Sequence, residues 1–460
     1  MENFWDYSVW GTFNLLALLF LALLAGNALK RTVKFLQASL IPTSVLSGLL
    51  ILLVSAVWKQ IDGVGLLDGA FLGGKGSANL EVLTYHALAL GFIASSLKSS
   101  GGKLTKKRSI EIFNTGVTTV STYLLQAVIG LGITMAAALI MKDFFPAAGI
   151  LLPFGYGQGT GQALNYGSIY EADFGFAGGR SFGLTVAAMG FLCASLGGVV
   201  HLNILKKRGK VNWEDMESGR MISEEIQSDD EIPMNGCLDK LTVQLALVAA
   251  TYFVTYLLMG GLGKLLPGMK SVIYGFNFLI GVLTATLLKV VMNLLRKAKV
   301  IKKKYANDFL LNRVSNTCFD LMVTAGIAAI RLEALKRYWV ILLILGVVGL
   351  VITYFYNLLV AKKLFAEYEH EQFLAMYGML TGTASTGIML LREVDPELKS
   401  PVSDNLVYQN FPAIVFGFPL MLLATLAPKE PMMTWWILLG FFVVMNILLF
   451  RTFIFRRRKK

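Results

Sequence analysis

Cysteine and histidine are scarce: the 460 residues hold 3 of each. Cys193, Cys237 and Cys318 stand far apart, too few for a disulfide framework and without the paired spacing of a zinc site. His86, His201 and His370 are equally scattered, so no metal cluster is expected. Charge is low too. Only 15% of residues are Asp, Glu, Lys or Arg, against about 25% in an ordinary soluble domain. The chain has no HExxH-type motif and no nucleophile–base pattern, so an embedded enzyme is not expected. The string "GAFLGGKG", Gly69 to Gly76, lacks the final Ser or Thr of a phosphate-cradling loop and does not lie between a strand and a helix.

What is abundant is apolar surface. Hydrophobic residues make up 55% of the chain, and the mean hydropathy is +0.62. Apolar runs of roughly 20 residues, each long enough to cross a bilayer as a helix, recur along almost the whole length. The first residues, "MENFWDYSVW", are acidic and aromatic, unlike a removable signal. The reading is an all-α polytopic membrane protein. Its spans are expected near 7–28, 38–58, 79–98, 113–141, 181–205, 238–260, 270–292, 309–330, 338–361, 404–427 and 432–453.

The positions of the basic residues orient these spans. Lys30, Arg31 and Lys34 follow the first. Lys98, Lys103, Lys106, Lys107 and Arg108 follow the third, and Lys206, Lys207, Arg208 and Lys210 the fifth. The run from Arg296 to Lys304 follows the seventh, Lys362 and Lys363 the ninth, and Arg456 to Lys460 the last. All six clusters share one side if the N-terminus is outside. Lys/Arg excess marks the cytoplasmic side, so the C-terminus is placed inside, in a cytoplasmic (inner) membrane. The net charge of +13 is then topological, and no nucleic-acid partner is expected. Arg331, Lys336 and Arg337 fall on the wrong side. The polar stretch 207–237 is too short and too polar to bury a core. It reads as a cytoplasmic linker between an N-terminal membrane repeat, 1–206, and a C-terminal one, 238–427. Residues 428–460 add an extra helix and a basic tail.

Two stretches interrupt the apolar pattern. "LLPFGYGQGTGQALNYGS" runs from Leu151 to Ser168, and "FLAMYGMLTGTASTGIMLLREVDPE" from Phe373 to Glu397. Gly155, Gly159 and Thr160 align with Gly378, Gly382 and Thr383 at a constant offset. Each stretch follows the fourth span of its half and precedes the fifth. The first is reached from outside and the second from inside, so the halves are inverted repeats, as in secondary transporters whose sites lie where broken helices meet. Glycine permits the turn, freed N–H groups suit an anion, and freed carbonyls suit Na⁺. The candidate binding set is Gly155, Gly157, Gln158, Gly159, Thr160, Gly161 and Gln162, with Gly378, Thr381, Gly382, Thr383, Ser385, Thr386 and Gly387. Close helix packing is the competing use of such small residues. A potassium filter is excluded. Pro153-Phe154 precede Gly155-Tyr156-Gly157 in place of Thr-Val, and the partner Gly378-Met379-Leu380 lacks the triplet.

Charge inside a span is a functional candidate. Asp320 qualifies; Arg313 lies seven residues earlier, too far for a direct helix pair. Arg392 and Arg180 are candidates for a substrate carboxylate, with snorkelling as the alternative. Lys289 reads as snorkelling. Asn405 and Asn410 either line the site or cap a helix.

At this point the sequence resembles the bacterial glutamate:sodium symporters. The order of elements covers nearly the whole chain, and "FGYGQGTGQA" is similar to that family's first Gly-x-Gly-x-Gly-Thr-like run. The resemblance implies two inverted five-helix repeats, each with a Gly-rich re-entrant hairpin (about 146–168 and 371–393). It also implies Na⁺-driven uptake of glutamate, a homodimer, and elevator-like movement of a hairpin-bearing core against a scaffold. No cofactor is expected beyond the coupling Na⁺. The second stretch, Thr383-Ala384-Ser385-Thr386-Gly387, lacks the family's Thr-Pro pair and following Asn, which leaves another amino acid or a carboxylate open as substrate. The alternatives are a proton-coupled carboxylate transporter and a cation/proton antiporter. The antiporter would put carboxylates at its broken helices, where only Asp320 is available.

Overall fold

The computed structural model describes residues 3–98, 105–208, 238–395 and 400–454. The linker expected at 207–237 and the last basic cluster lie almost wholly outside these residues. The described residues are helical. In the first half they form α1 (Tyr7–Thr32), α2 (Lys34–Ala38), α3 (Thr43–Asp62), α4 (Gly76–Leu97), α5 (Lys106–Ile140), α6 (Leu151–Phe174) and α7 (Gly179–Lys207). The second half holds α8 (Lys240–Leu265), α9 (Lys270–Gly275), α10 (Asn277–Lys297), α11 (Asp308–Ala328), α12 (Trp339–Leu364), α13 (Glu369–Thr381), α14 (Ala384–Arg392), α15 (Val402–Tyr408) and α16 (Asn410–Leu426). α17 (Pro431–Leu449) and α18 (Arg451–Ile454) close the chain.

Among the described residues, 9 helices are long and apolar enough to cross a membrane, and the bent pair α15–α16 raises this to 10. α11 is long enough but carries Asp308, Arg313 and Asp320. The expected spans thus all have a helix, and the polar one is α11. Local chemistry sets several starts. Asp239 accepts from the Leu241 and Thr242 amides at 2.9 and 3.2 Å. Asn307 accepts from the Leu310 amide at 2.7 Å. Each cap satisfies donors that the first helical turn leaves free.

The helices pack in two groups. α1, α3, α4, α8, α10 and α11 pack mainly on one another, and α5, α6, α7, α12, α13, α14, α16 and α17 likewise. The first group holds the first three spans of each half. The second holds the fourth and fifth, with the two interrupted stretches. α17 lies along α5, where Trp435 Nε1 donates to Val128 O at 2.9 Å and Arg451 to Asn114 Oδ1 at 3.0 Å.

The two ends of the bundle differ in charge. At one end the basic helix termini meet: Lys107 pairs with Glu367 at 2.8 Å, and Lys98 donates to Asn312 at 3.1 Å. At the other end, Glu81 of α4 accepts from Arg180 of α7 at 2.8 Å and from Arg331 at 3.3 Å. Arg180 also approaches Glu171 at 3.8 Å. The sequence reading of Arg180 as a substrate or snorkelling arginine is corrected here, because two carboxylates hold it. Arg331, out of place by charge alone, is neutralised by a buried Glu81, while the Arg337 guanidinium donates to Lys142 O. Nearby, a hydrogen bond from Lys59 holds the exposed Glu333 carboxyl below its usual range. In a cysteine-free background, Cys introduced at exposed Lys75 and at exposed Lys362 should react with an impermeant thiol reagent from opposite membrane faces, Lys75 from outside. Labelling of both from one face contradicts this arrangement.

Candidate functional site

α6 is interrupted. Gly159 has φ 79° and ψ −170°, a region open essentially to glycine alone. The segments on either side lie next to each other: Phe154 stacks on Tyr166 with centroids 4.0 Å apart, and Phe145 meets Tyr170 at 5.4 Å. The residues before Gly159 also run back along α5. Thr134 Oγ1 donates to Pro146 O at 2.7 Å, and further along α5 Tyr123 OH donates to Gly157 O at 2.9 Å. The approach to Gly159 therefore starts at the Glu81 end of the bundle.

The second interruption separates α13 from α14 at Gly382 and Thr383. α13 starts at the basic end, where His370 and His201 have ring centroids 5.7 Å apart. α14 turns back along α13, with the Gly387 backbone against Gly378: a Cβ on Gly378 would lie 2.9 Å from Gly387 Cα. Thr383 caps α14, its Oγ1 accepting from the Thr386 amide at 3.5 Å and lying 3.3 Å from Thr386 Oγ1.

These two turns meet. A Cβ on Gly159 would lie 3.4 Å from Thr383 Cγ2, 3.8 Å from Met322 Cε of α11 and 4.0 Å from Gly382 O. The aligned pair Gly159 and Gly382 thus face each other across the molecule. α5 ties both together. Tyr123 holds Gly157 O, and Gln126, three residues on, donates to Leu380 O at 3.0 Å and to Thr353 Oγ1 at 2.8 Å. Gly157 and Leu380 are separated by the same offset as the aligned glycines, so one face of α5 satisfies a carbonyl beside each turn. The other oxygen, Gln126 Oε1, is buried without a partner.

The remaining candidates divide by position. Thr160 donates to Met322 O at 3.2 Å. Gln162 accepts from Asn165 at 3.1 Å, and its Nε2 is buried without a partner. Gln158 is half-buried beside the turn. Thr381 donates to Tyr377 O at 2.6 Å, and Ser385 is exposed at the start of α14. Gly155 packs on Val186 and Ala187 of α7, Gly157 on Tyr123, and Gly161 on Leu88 of α4. Those glycines, with Gly378 and Gly387, bring helices together around the turns. Arg392 is exposed at the far end of α14, roughly 14 Å from Thr383 at 1.5 Å per residue. Asn410 is also exposed, and its Oδ1 accepts from Gln409 at 3.2 Å.

A comparison with protein-family models matches residues 10–394 to the Sodium/glutamate symporter family. The chain belongs to that family. No individual curated protein matches it. Membership makes this a transport protein of the membrane, with Na⁺ and glutamate as the substrates the family implies.

Within this family member, Asp320 stands on a polar face. Arg313, Asn316, Thr317 and Asp320 of α11 are all exposed at helical spacing. Arg313 lies over the Phe309 ring at 4.8 Å and so is turned away from Asp320. Sequence reading alone passed over Gln126, Tyr123 and Met322. The available signal was "NTGVTTVSTYLLQ", Asn114 to Gln126, a hydroxyl- and amide-rich run inside a span. It also treated the histidines as scattered, whereas His201 and His370 come together. Lys289, read as snorkelling, donates from Nζ to Ser96 O at 3.2 Å and Lys98 O at 3.0 Å at the end of α4.

Replacing Gln126 with Leu should leave Leu380 O without its donor. The expected cost is about 1–3 kcal/mol, read as a loss of roughly five- to 150-fold in apparent affinity for Na⁺ or glutamate. Gln126→Glu keeps the shape but not the donor and should fall in the same direction. Unchanged uptake by both variants contradicts the bridging role of α5.

Proposed function

We propose that the chain is a secondary active transporter that couples Na⁺ entry to uptake of glutamate or a closely related anion across the cytoplasmic membrane. The N-terminus lies outside and the C-terminus inside. The two interrupted stretches act as re-entrant hairpins of inverted repeats, one reached from each face. The observation that carries this reading is the meeting of the Gly159 turn with Gly382 and Thr383.

The chemistry follows from what each turn frees. The helical segment after Gly159 and α14 both begin at the junction, so two sets of amide donors and two positive helix ends converge there. That favours a carboxylate. The segments before each turn end there, and their last carbonyls suit Na⁺. Hydroxyls of Thr160, Thr383, Ser385 and Thr386 supply further oxygens to either. Gly155, Gly157, Gly161, Gly378 and Gly387 hold the turns in place, and Asp320 attracts the cation from the polar face of α11. Arg392 and Asn410 act further out, on the approach.

A polar, exposed helix face within a membrane needs water beside it. The α11 face and the exposed start of α14 both lead from the basic end towards Gly159, which supports a site open to the cytoplasm. The group carrying the hairpins would then slide against the α1–α3–α4–α8–α10–α11 group to reach the outside. Two copies form the working unit, as in the family. A proton-coupled version is weaker, because Asp320 is the one carboxylate on the exposed α11 face.

In proteoliposomes, an inward Na⁺ gradient should drive accumulation of labelled glutamate, and collapsing it should stop accumulation with a proton gradient intact. Accumulation driven by protons without Na⁺ overturns the coupling. Gly159→Val forces a β-branched residue into a conformation costing about 1–3 kcal/mol and places its side chain against Thr383. It should nearly abolish transport while the protein still inserts, as checked by membrane yield and size-exclusion profile. Wild-type uptake by Gly159→Val removes the turn from the site.

A further inference from the structure

The face of α5 that holds the second turn continues towards the basic end of the bundle. Thr115, Thr119, Thr122 and Gln126 recur there at helical spacing, and all four are buried. Each meets a polar side chain of another segment. Thr115 accepts from Gln372 Nε2 of α13 at 3.2 Å, and Thr119 donates to Gln409 Oε1 at 2.9 Å. Thr122 accepts from Asn357 Nδ2 of α12 at 3.4 Å, and Gln126 donates to Thr353 Oγ1 at 2.8 Å.

Nearest the second turn, two pairs interleave. Thr122 and Gln126 are one turn apart on α5, as are Thr353 and Asn357 on α12. Neither amide can be reversed, because each nitrogen faces a backbone carbonyl that only accepts. Gln126 Nε2 lies 3.0 Å from Leu380 O, and Asn357 Nδ2 lies 2.9 Å from Thr353 O. That orientation leaves Gln126 Oε1 and Asn357 Oδ1 buried without a hydrogen-bond partner. Both are acceptors, so each calls for a proton donor or a cation. Thr122 does not supply the donor, since its hydroxyl donates to Thr118 O at 2.8 Å.

The kind of oxygen decides the class of ligand. Two amide and two hydroxyl oxygens suit a hard cation rather than a soft transition metal. Divalent cations draw on carboxylates, and neutral oxygens suffice for a monovalent one. An anion would meet lone pairs.

We propose that Na⁺ binds between α5 and α12, on Gln126 Oε1 and Asn357 Oδ1 with the hydroxyl oxygens of Thr122 and Thr353. This rests on the Na⁺ coupling proposed above and adds an ion position behind the second turn, apart from the carbonyls of the turns. The ion fixes Gln126, whose amide nitrogen holds Leu380 O beside that turn. Na⁺ binding thus orders the place where glutamate binds, and glutamate in turn tightens the hold on Na⁺. Both helices belong to the group that carries the turns, so the ion travels with it.

The test is binding of radiolabelled Na⁺ to the purified full-length protein by scintillation proximity, with and without glutamate. Wild-type protein should bind Na⁺, more tightly with glutamate present. Asn357→Leu and Thr122→Val each remove one oxygen and should each raise the Na⁺ concentration for half-saturation about tenfold, as expected for a lost contact to a charged group. Thr122→Ser keeps the hydroxyl and should bind as wild type. So should Ser121→Ala, on the same helix but turned about 100° from Thr122. Unchanged half-saturation in Asn357→Leu and Thr122→Val assigns the two amide oxygens to a bridging water and overturns the site, as does an equal loss in Ser121→Ala. A monodisperse size-exclusion profile separates loss of the site from loss of the fold, and Thr122→Val against Thr122→Ser decides if Asn357→Leu fails to fold. Wild-type protein that binds no Na⁺ overturns the coupling and this site together. Na⁺ binding that Asn357→Leu weakens, in a protein that takes up no glutamate, supports the site and overturns the substrate alone.

Discussion

Everything near the junction depends on the need to satisfy peptide groups where a helix is broken inside an apolar layer. An unpaired backbone carbonyl or amide there costs several kcal/mol, on the order of what a membrane imposes on any exposed peptide. Gly159 lets the chain leave the helix, but the leaving exposes carbonyls on one side and amides on the other. Tyr123 and Gln126 of α5 take the carbonyls of Gly157 and Leu380. Thr383 takes an amide of α14. Gln126 Oε1 and Gln162 Nε2 are among the buried side-chain atoms that stay without a partner. An unsatisfied buried polar atom on the helix that holds both turns, Gln126 Oε1, is a group a ligand can use.

The same logic applies at the end of the bundle opposite the basic clusters. Glu81 is buried and shared by Arg180 and Arg331. Arg180 belongs to the group with the turns, and Glu81 to the group without them. Losing either arginine leaves Glu81 the other; losing both would strand a buried charge, which costs about 3–5 kcal/mol. Any sliding of the groups must therefore trade this pairing for water or for another partner. The hydroxyl- and amide-rich side of α5 plays the opposite part, since Gln126, Thr353 and Leu380 all lie within the group that carries the turns and can travel together.

Much of this was legible from residue order. Spans announce themselves because roughly 20 apolar residues in a row have few other uses. The aligned pairs Gly159/Gly382 and Thr160/Thr383 were readable because a fixed offset survives even where identity is thin. The packing glycines, Gly155 and Gly161 among them, could not be told from the turn glycines. Both kinds answer to the lack of a Cβ, one for a neighbour's approach and the other for a backbone angle. Arg180 and Arg331 misled for a related reason: a charge near a span end looks the same whether it meets water, substrate or a carboxylate on a distant helix.

Sequence by itself determined that this is a helical membrane protein and where its helices fall, and it aligned Gly159 with Gly382 at a fixed offset. Hydropathy, charge placement and glycine spacing are local properties, written along the chain. Only the tertiary structure decided that those two glycines meet, that α5 serves both turns, that Glu81 gathers two arginines, and that His201 and His370 are neighbours. Each of these joins residues from different helices, with Gln126 and Leu380 more than 250 positions apart. Such pairings are set by how helices cross, which no stretch of sequence records.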